Sequence, residues 1–246
     1  MEPIFLVLIF AAGFAAGVIN TMAGGGSLLT LPLLIFAGLP PTVANGTNRI
    51  AIVFQNLGAM AGFQRGGYTV DRAAAMLLIP SILGAILGIR LATDIDETTM
   101  SRAIGIMPVV RLVPRLKPRK PAAATAPKRA WGIWPAYFVV GVYGGFLQAG
   151  VGFLYLALLA GAQGMDLVRA NLIKVFLILV YSVIAVGMFA AAGQIAWIPG
   201  VALAVGTTAG GWLGAHVTIK GGERWIRVAL VLAILASAAK LWGWPG

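Results

Sequence analysis

The second half of this chain repeats the first, and that duplication constrains the fold more than any other feature. The stretch Gly84-Ala-Ile-Leu-Gly88-Ile-Arg90 aligns with Gly210-Gly-Trp-Leu-Gly214-Ala-His216 at an offset of 126. At the same offset Ala44-Asn45 falls on Ala170-Asn171, and Glu97 on Glu223. Gly13 and Gly17 match Gly141 and Gly145 at 128, which puts a two-residue difference near Pro40-Pro41. A nearly constant offset from Gly13 to Glu97 marks two copies of one unit, each expected to build the same structure.

The copies are too apolar for water. Hydrophobic residues make up 60% of the 246 positions and charged residues 10%, where a soluble domain carries about 25% charged. The composition predicts an all-α integral membrane protein. In the first copy apolar runs cover 4–22, 27–38, 44–63, 72–91 and 98–113; in the second they cover 132–149, 151–162, 168–192, 195–215 and 224–242. The first run lacks the Lys/Arg start of a signal peptide and carries Glu2, and it has a counterpart in the second copy, so it reads as a transmembrane helix. The second member of each set would be only ~18 Å long, too short for ~30 Å of hydrocarbon, and reads as a half-helix or re-entrant segment. Backbone broken at membrane depth must be buried in protein or line a wet cavity.

Charge sets the expected orientation. The net charge of +11 is concentrated: seven of the 18 Lys and Arg lie between Arg111 and Arg129, among Pro114, Pro118, Pro121 and Pro127. This reads as a cytoplasmic linker at 114–130 that touches anionic lipid, between repeats at 1–113 and 131–246. No aromatic residue interleaves with its charges, which argues against nucleic acid as a partner. Equivalent loops carry opposite bias. The loop near 64–72 holds Arg65 and Arg72 while its counterpart near 193–197 is uncharged; the loop near 92–101 is acidic while its counterpart holds Lys220, Arg224 and Arg227. Opposite bias predicts two inverted five-segment repeats, with the loops near 64–72, 111–130, 163–170 and 216–227 in the cytoplasm and both termini outside.

Inverted repeats with interrupted helices point to a secondary transporter with a midplane site. In the first copy Gly24, Gly25 and Gly26 break the helix after Asn20, and Ser27 is placed to cap the short helix that follows. In the second, Gly150 and Gly152 form the break and Gln148 falls opposite Asn20. Free N–H groups at such a helix start favour an anion; the alternative is a tight turn in which glycine only permits close packing. The third segment adds Asn45, Asn48 and Gln55 near one helix face, with Asn171, Lys174 and Tyr181 as counterparts. Lys174 lies inside an apolar helix, where it either snorkels or meets an anion. Arg49 ranks lower, because it points ~100° away from Asn48.

All seven acidic residues (Glu2, Asp71, Asp94, Asp96, Glu97, Asp166, Glu223) fall at segment ends or in loops, so no membrane-embedded carboxylate relay is expected. With no Cys and one histidine, His216, at a segment end, no metal site, cofactor site or catalytic dyad is expected, and the chain reads as no enzyme.

At these motifs the chain resembles the TauE/SafE family of sulfite exporters. The resemblance rests on the triple-glycine segment followed by PLLIFAGLPPTVANGTN, and on GGFLQAGVGFL followed by DLVRANLIK, and it spans roughly 5–113 and 132–242. It implies a bacterial inner-membrane permease that moves a small anion outward, typically sulfite or an organosulfonate. By position, it carries the family's glycine motifs onto Gly24, Gly25, Gly26, Gly150 and Gly152, and its polar positions onto Asn45, Asn48, Asn171 and Lys174. The second copy lacks the triple glycine of the first. The expected function is therefore export of a small sulfur-containing anion through a midplane site. A passive anion channel and a membrane anchor that docks a partner through the basic linker are the alternatives.

Overall fold

The computed structural model describes residues 3–110 and 130–242, so the basic linker expected at 114–130 lies, but for Ala130, outside the described residues. The helices are α1 (Pro3–Ala23), α2 (Ser27–Phe36), α3 (Pro41–Arg65), α4 (Arg72–Met76), α5 (Leu78–Asp94), α6 (Glu97–Val110), α7 (Trp134–Phe146), α8 (Val151–Leu156), α9 (Leu167–Ala191) and α10 (Trp197–Trp242). A 3₁₀ turn, Ala130–Ile133, leads into α7, and α8 runs into a π turn, Ala157–Ala162. No strand occurs among the described residues. Three spans are long and apolar enough to cross a membrane: Arg72–Asp94, Leu167–Ala191 and Trp197–Gly221. The protein is an all-α, multi-pass membrane protein.

Apolar side chains cover the outside as well as filling the core. Leu83, Leu87 and Leu91 of α5 and Ile198, Val201 and Val205 of α10 form exposed apolar stripes. The interior holds Asn20, Asn45, Asn48, Arg49, Gln55, Asn171 and Lys174. These polar positions explain why α3, 25 residues long, is long enough to span yet too polar to stand out by hydropathy alone.

The repeated glycines are where helices touch. Gly206 and Gly210 of α10 lie against the Phe10 and Phe14 carbonyls of α1, and Gly214 lies against Val18 and Thr21. Gly84 and Gly88 of α5 lie in the same way against Phe138 and Val142 of α7. Both pairs run parallel, and neither contact has room for a Cβ. The first helix of each copy thus packs chiefly on the fourth segment of the other copy. At the centre α3 and α9 run antiparallel: Gly46 meets Phe189 and Gln194, while Ala59 and Phe63 pack with Val168 and Leu172.

The apolar run at 72–91 forms one span, Arg72–Asp94, with a break at Leu77 between α4 and α5, because Pro80 has no N–H for the Met76 carbonyl and its ring crowds that carbonyl. Two local expectations are corrected. The loop expected at 216–227 is absent: α10 continues through it to Trp242. Gly221 and Gly222 have no proline beside them, and a helical glycine costs only about 1 kcal/mol. Finally, Ser27 does not cap α2. Gly26 occupies the N-cap, Ser27 is the first helical residue, and no side chain of the cap itself closes the end.

Candidate functional site

The two helix breaks meet inside the protein. Gly24 has φ 89°, and its Cα packs directly on the backbone of Gly152, leaving no space for a Cβ on either residue. Gly25 faces the Phe153 ring, and Gly26 sits on the Ala16 carbonyl and Asn20. In the second break both Gly150 (φ 76°) and Gln148 (φ 64°) adopt the left-handed region. That conformation is strained for Gln148 and is sustained by what its side chain holds.

Around the first break, Asn20 uses both ends of its amide. Its Nδ2 donates to Gln55 Oε1 at 2.8 Å, and its Oδ1 accepts from the Gly26 N–H at 3.0 Å, supplying the cap that Ser27 does not. Lys174 arrives from α9: its Nζ donates to the main-chain oxygens of Asn20 (3.1 Å) and Thr21 (2.8 Å) and to Asn171 Oδ1 (2.5 Å). Asn171 Nδ2 donates to the Met22 carbonyl at 2.9 Å. Asn48 accepts from the Thr30 hydroxyl at 2.7 Å, tying α3 to α2.

Around the second break the arrangement recurs with the copies exchanged. Asn45 of α3 donates to the Phe146 carbonyl at 2.9 Å. Arg49 donates from one guanidinium nitrogen to the Gly144 carbonyl (2.7 Å) and Gln148 Oε1 (2.5 Å), and from the other to the Gly145 carbonyl (2.7 Å) and Asn45 Oδ1 (3.3 Å). Its guanidinium carbon lies 5.4 Å from the centre of the Phe189 ring. Tyr181, the counterpart of Gln55, is fully buried with its hydroxyl against Gly144.

Every residue expected at the site is therefore at one of the two breaks, but they form two clusters and not one cage. Asn20, Gln55, Asn171 and Lys174 surround the end of α1, with Asn48 held against α2; Asn45, Gln148 and Tyr181 surround the end of α7. Arg49, which its angle from Asn48 ranks lower, stands in the second cluster. The angle from Asn48 was the wrong measure, because its neighbour is Asn45, one helical turn back, just as Asn171 precedes Lys174. A cation shortly after an Asn in the third segment of both copies was the available signal.

Some buried donors remain unpaired. Asn48 Nδ2, Gln55 Nε2 and Arg49 Nε have no hydrogen-bond partner, although the oxygens of both amides are engaged. A buried unpaired polar group costs about 1–3 kcal/mol. Asn48 and Gln55 are two turns apart, about 10 Å along the helix axis, on one face of α3.

Asp71, Asp166 and Glu97 do structural work at helix starts, whereas Glu223, expected at a segment end, falls within α10. Asp71 caps α4 through the Ala74 N–H (2.8 Å), and Asp166 caps α9 through the Arg169 N–H (2.9 Å). Glu97 accepts from the Thr42 N–H (3.0 Å) and hydroxyl at the start of α3. An exposed Asp71–Arg169 ion pair joins the loop before α4 to the start of α9.

Broken helices that meet around polar groups inside a multi-pass bundle define a membrane transporter. The family model described as Sulfite exporter TauE/SafE matches residues 9–241, and the chain belongs to that family. It is similar to a probable membrane transporter protein of Haemophilus influenzae, at 29% identity over 96% of this chain and 94% of the relative. It is also similar to the probable membrane transporter protein ORF9 of a Sinorhizobium species, at 26% over 96% and 92%, and to the probable membrane transporter protein YfcA of Escherichia coli K12, at 24% over 98% and 91%. No solved structure matches the chain. The protein is a membrane transporter of a small molecule and not an enzyme.

Proposed function

We propose that the protein is a permease of the bacterial inner membrane that exports a small sulfur-containing anion, sulfite or an organosulfonate. The observation that carries this reading is the pair of buried amide donors without partners, Asn48 Nδ2 and Gln55 Nε2, on α3 beside the first break. An anion that has shed its hydration shell needs such donors, and Lys174 and Arg49 make their surroundings positive. Asn20, Ser27, Asn171 and the glycines Gly24, Gly25 and Gly26 shape the first break and the entrance to α2; Asn45, Gln148, Gly150, Gly152 and Tyr181 complete the arrangement around the second break. Two inverted repeats enclose the site, with α10 running as one helix through what would be the fourth and fifth segments of the second; the antiparallel course of α3 and α9, which are repeat equivalents, supports this reading. Movement of the helices around the breaks then alternates access.

Proteoliposomes holding the purified protein and loaded with a panel of anions test the proposal. Saturable counterflow of sulfite or a short organosulfonate, absent for chloride and for cations, is the expected outcome. Currents without counterflow would instead mark a channel, and no flux of any anion would overturn the reading.

A further inference from the structure

Arg49 and Lys174 stand on third helices of different copies, and each reaches across to the other copy's broken helix. Lys174 donates to Asn20 and Thr21 in the last turn of α1, and Arg49 to Gly144 and Gly145 in the last turn of α7. Neighbouring carbonyls, of Met22 and Phe146, are taken by the amides of Asn171 and Asn45, whose oxygens in turn hold the cations. The last carbonyls of a helix have no partner within it, and they carry the negative end of its dipole; of those held here, the Asn20 oxygen also accepts from the Gly24 N–H at 2.7 Å. Ordinarily water satisfies them; at membrane depth it cannot.

The donor count is nearly closed. An ammonium has three hydrogens, and Lys174 has three acceptors. Arg49 has five, of which four are engaged and only Nε–H is free. Both side chains are within 1% of complete burial, and among the described residues neither hydrogen-bonds to a carboxylate. We infer that Arg49 and Lys174 are reciprocal clasps: positioning residues that hold the severed ends of α7 and α1 across the repeat boundary and do not ligate the anion. The transport consequence rests on the proposed anion transport; the structural consequence does not.

Hydrogen exchange of the full chain in lipid nanodiscs, read by mass spectrometry, tests the clasp without any substrate. Lys174→Gln is expected to speed exchange at 18–28, in the first copy, and Arg49→Gln at 142–152, in the second, each by about tenfold or more. Arg49→Lys keeps the charge but loses the fork, and is expected to loosen 142–152 to a smaller extent. Where a Gln variant does not fold, Asn171→Ala and Asn45→Ala, which free the cation from one side, are expected to loosen the same two segments. Unchanged exchange, or loosening confined to the mutated residue's own copy, would overturn the inference. In sulfite counterflow, Lys174→Gln is expected to lower the maximal rate at an apparent KM that holds within about twofold, whereas a raised KM at full rate would make Lys174 a ligand. If the wild type moves no anion, the proposed function fails while the exchange measurement still decides the clasp.

Discussion

The ammonium of Lys174 sits 3.1 Å from the main-chain oxygen of Asn20, a residue 154 positions earlier in the chain. Asn20 in turn sends its amide to Gln55 on α3 and receives the Gly26 N–H. One residue, through its main chain and its amide, thereby joins the end of α1, the start of α2, α3 and α9, and changes at any of these positions should be felt at the proposed anion path.

Asn48 offers the most direct test of that path. Its oxygen is held by Thr30, and its Nδ2 is unpaired. Asn48→Leu should weaken the apparent affinity for sulfite by roughly tenfold to a hundredfold, the worth of one hydrogen bond to a charged group. Thr30→Val should have a smaller effect in the same direction, because it only frees the amide to turn. Counterflow measured against substrate concentration reads both, and an unchanged affinity in Asn48→Leu would remove Asn48 from the path.

Two glycines with the same backbone angle separate strain from crowding. Gly24 and Gly38 both have φ 89°, but Gly24 packs on Gly152 whereas nothing lies within 4 Å of a Cβ at Gly38. Gly38→Ala should lower stability by about 1 kcal/mol, the cost of a left-handed alanine. Gly24→Ala adds a backbone clash and should cost several times as much or prevent folding. Thermal unfolding in detergent, followed by size-exclusion chromatography, compares them; equal losses would mean that the two breaks are not in close contact.

Orientation is open to chemical labelling, since the chain has no cysteine. Thr69, in the loop before α4, and Thr98, near the start of α6, are both exposed. In intact cells Thr98→Cys should react with an impermeant thiol reagent, and Thr69→Cys should react only after the membrane is opened. Reversed labelling would turn the protein over in the membrane.

Proton coupling is expected to be absent. Asp71, Asp166 and Glu97 are engaged as helix caps or in hydrogen bonds at helix starts. The Thr99 hydroxyl and N–H hold the Asp96 carboxyl below its usual range. A lowered value leaves Asp96 ionised at every pH above the ordinary carboxylate range, so it neither loads nor releases a proton between pH 6 and 8. Transport of a permanently ionised sulfonate at clamped potential should therefore ignore an imposed proton gradient. A dependence removed by Asp71→Asn or Asp166→Asn would refute this.

What the sequence disclosed and what it hid follow from the range of the interactions. The duplication, both breaks and the pairing of Asn45 with Asn171 are local or periodic signals, readable from spacing. Arg49 was undervalued because its partners, Gly144 and Gly145, lie 95 and 96 positions away and no helical-wheel angle reaches them. Ser27 has the right chemistry for an N-cap, but Asn20, folded back from the preceding helix, supplies the bond. The course of α10 through 216–227 escaped notice because charge and glycine suggest a loop without forbidding a helix.

The glycine faces that bind α1 to α10 also set an order of assembly. Helix α1 finds its principal close-packed neighbour in α10, which is made long after it, so Gly13 and Gly17 stay without their partner backbone until Trp197–Gly221 has been made. α7, by contrast, emerges after its own neighbour α5 and can dock at once. Biogenesis is accordingly expected to end with a late closure, and a chain stalled before Trp197 should remain open to protease at α1 while α5 and α7 are already protected. Early protection of α1 in such a stalled chain would show that it docks elsewhere first.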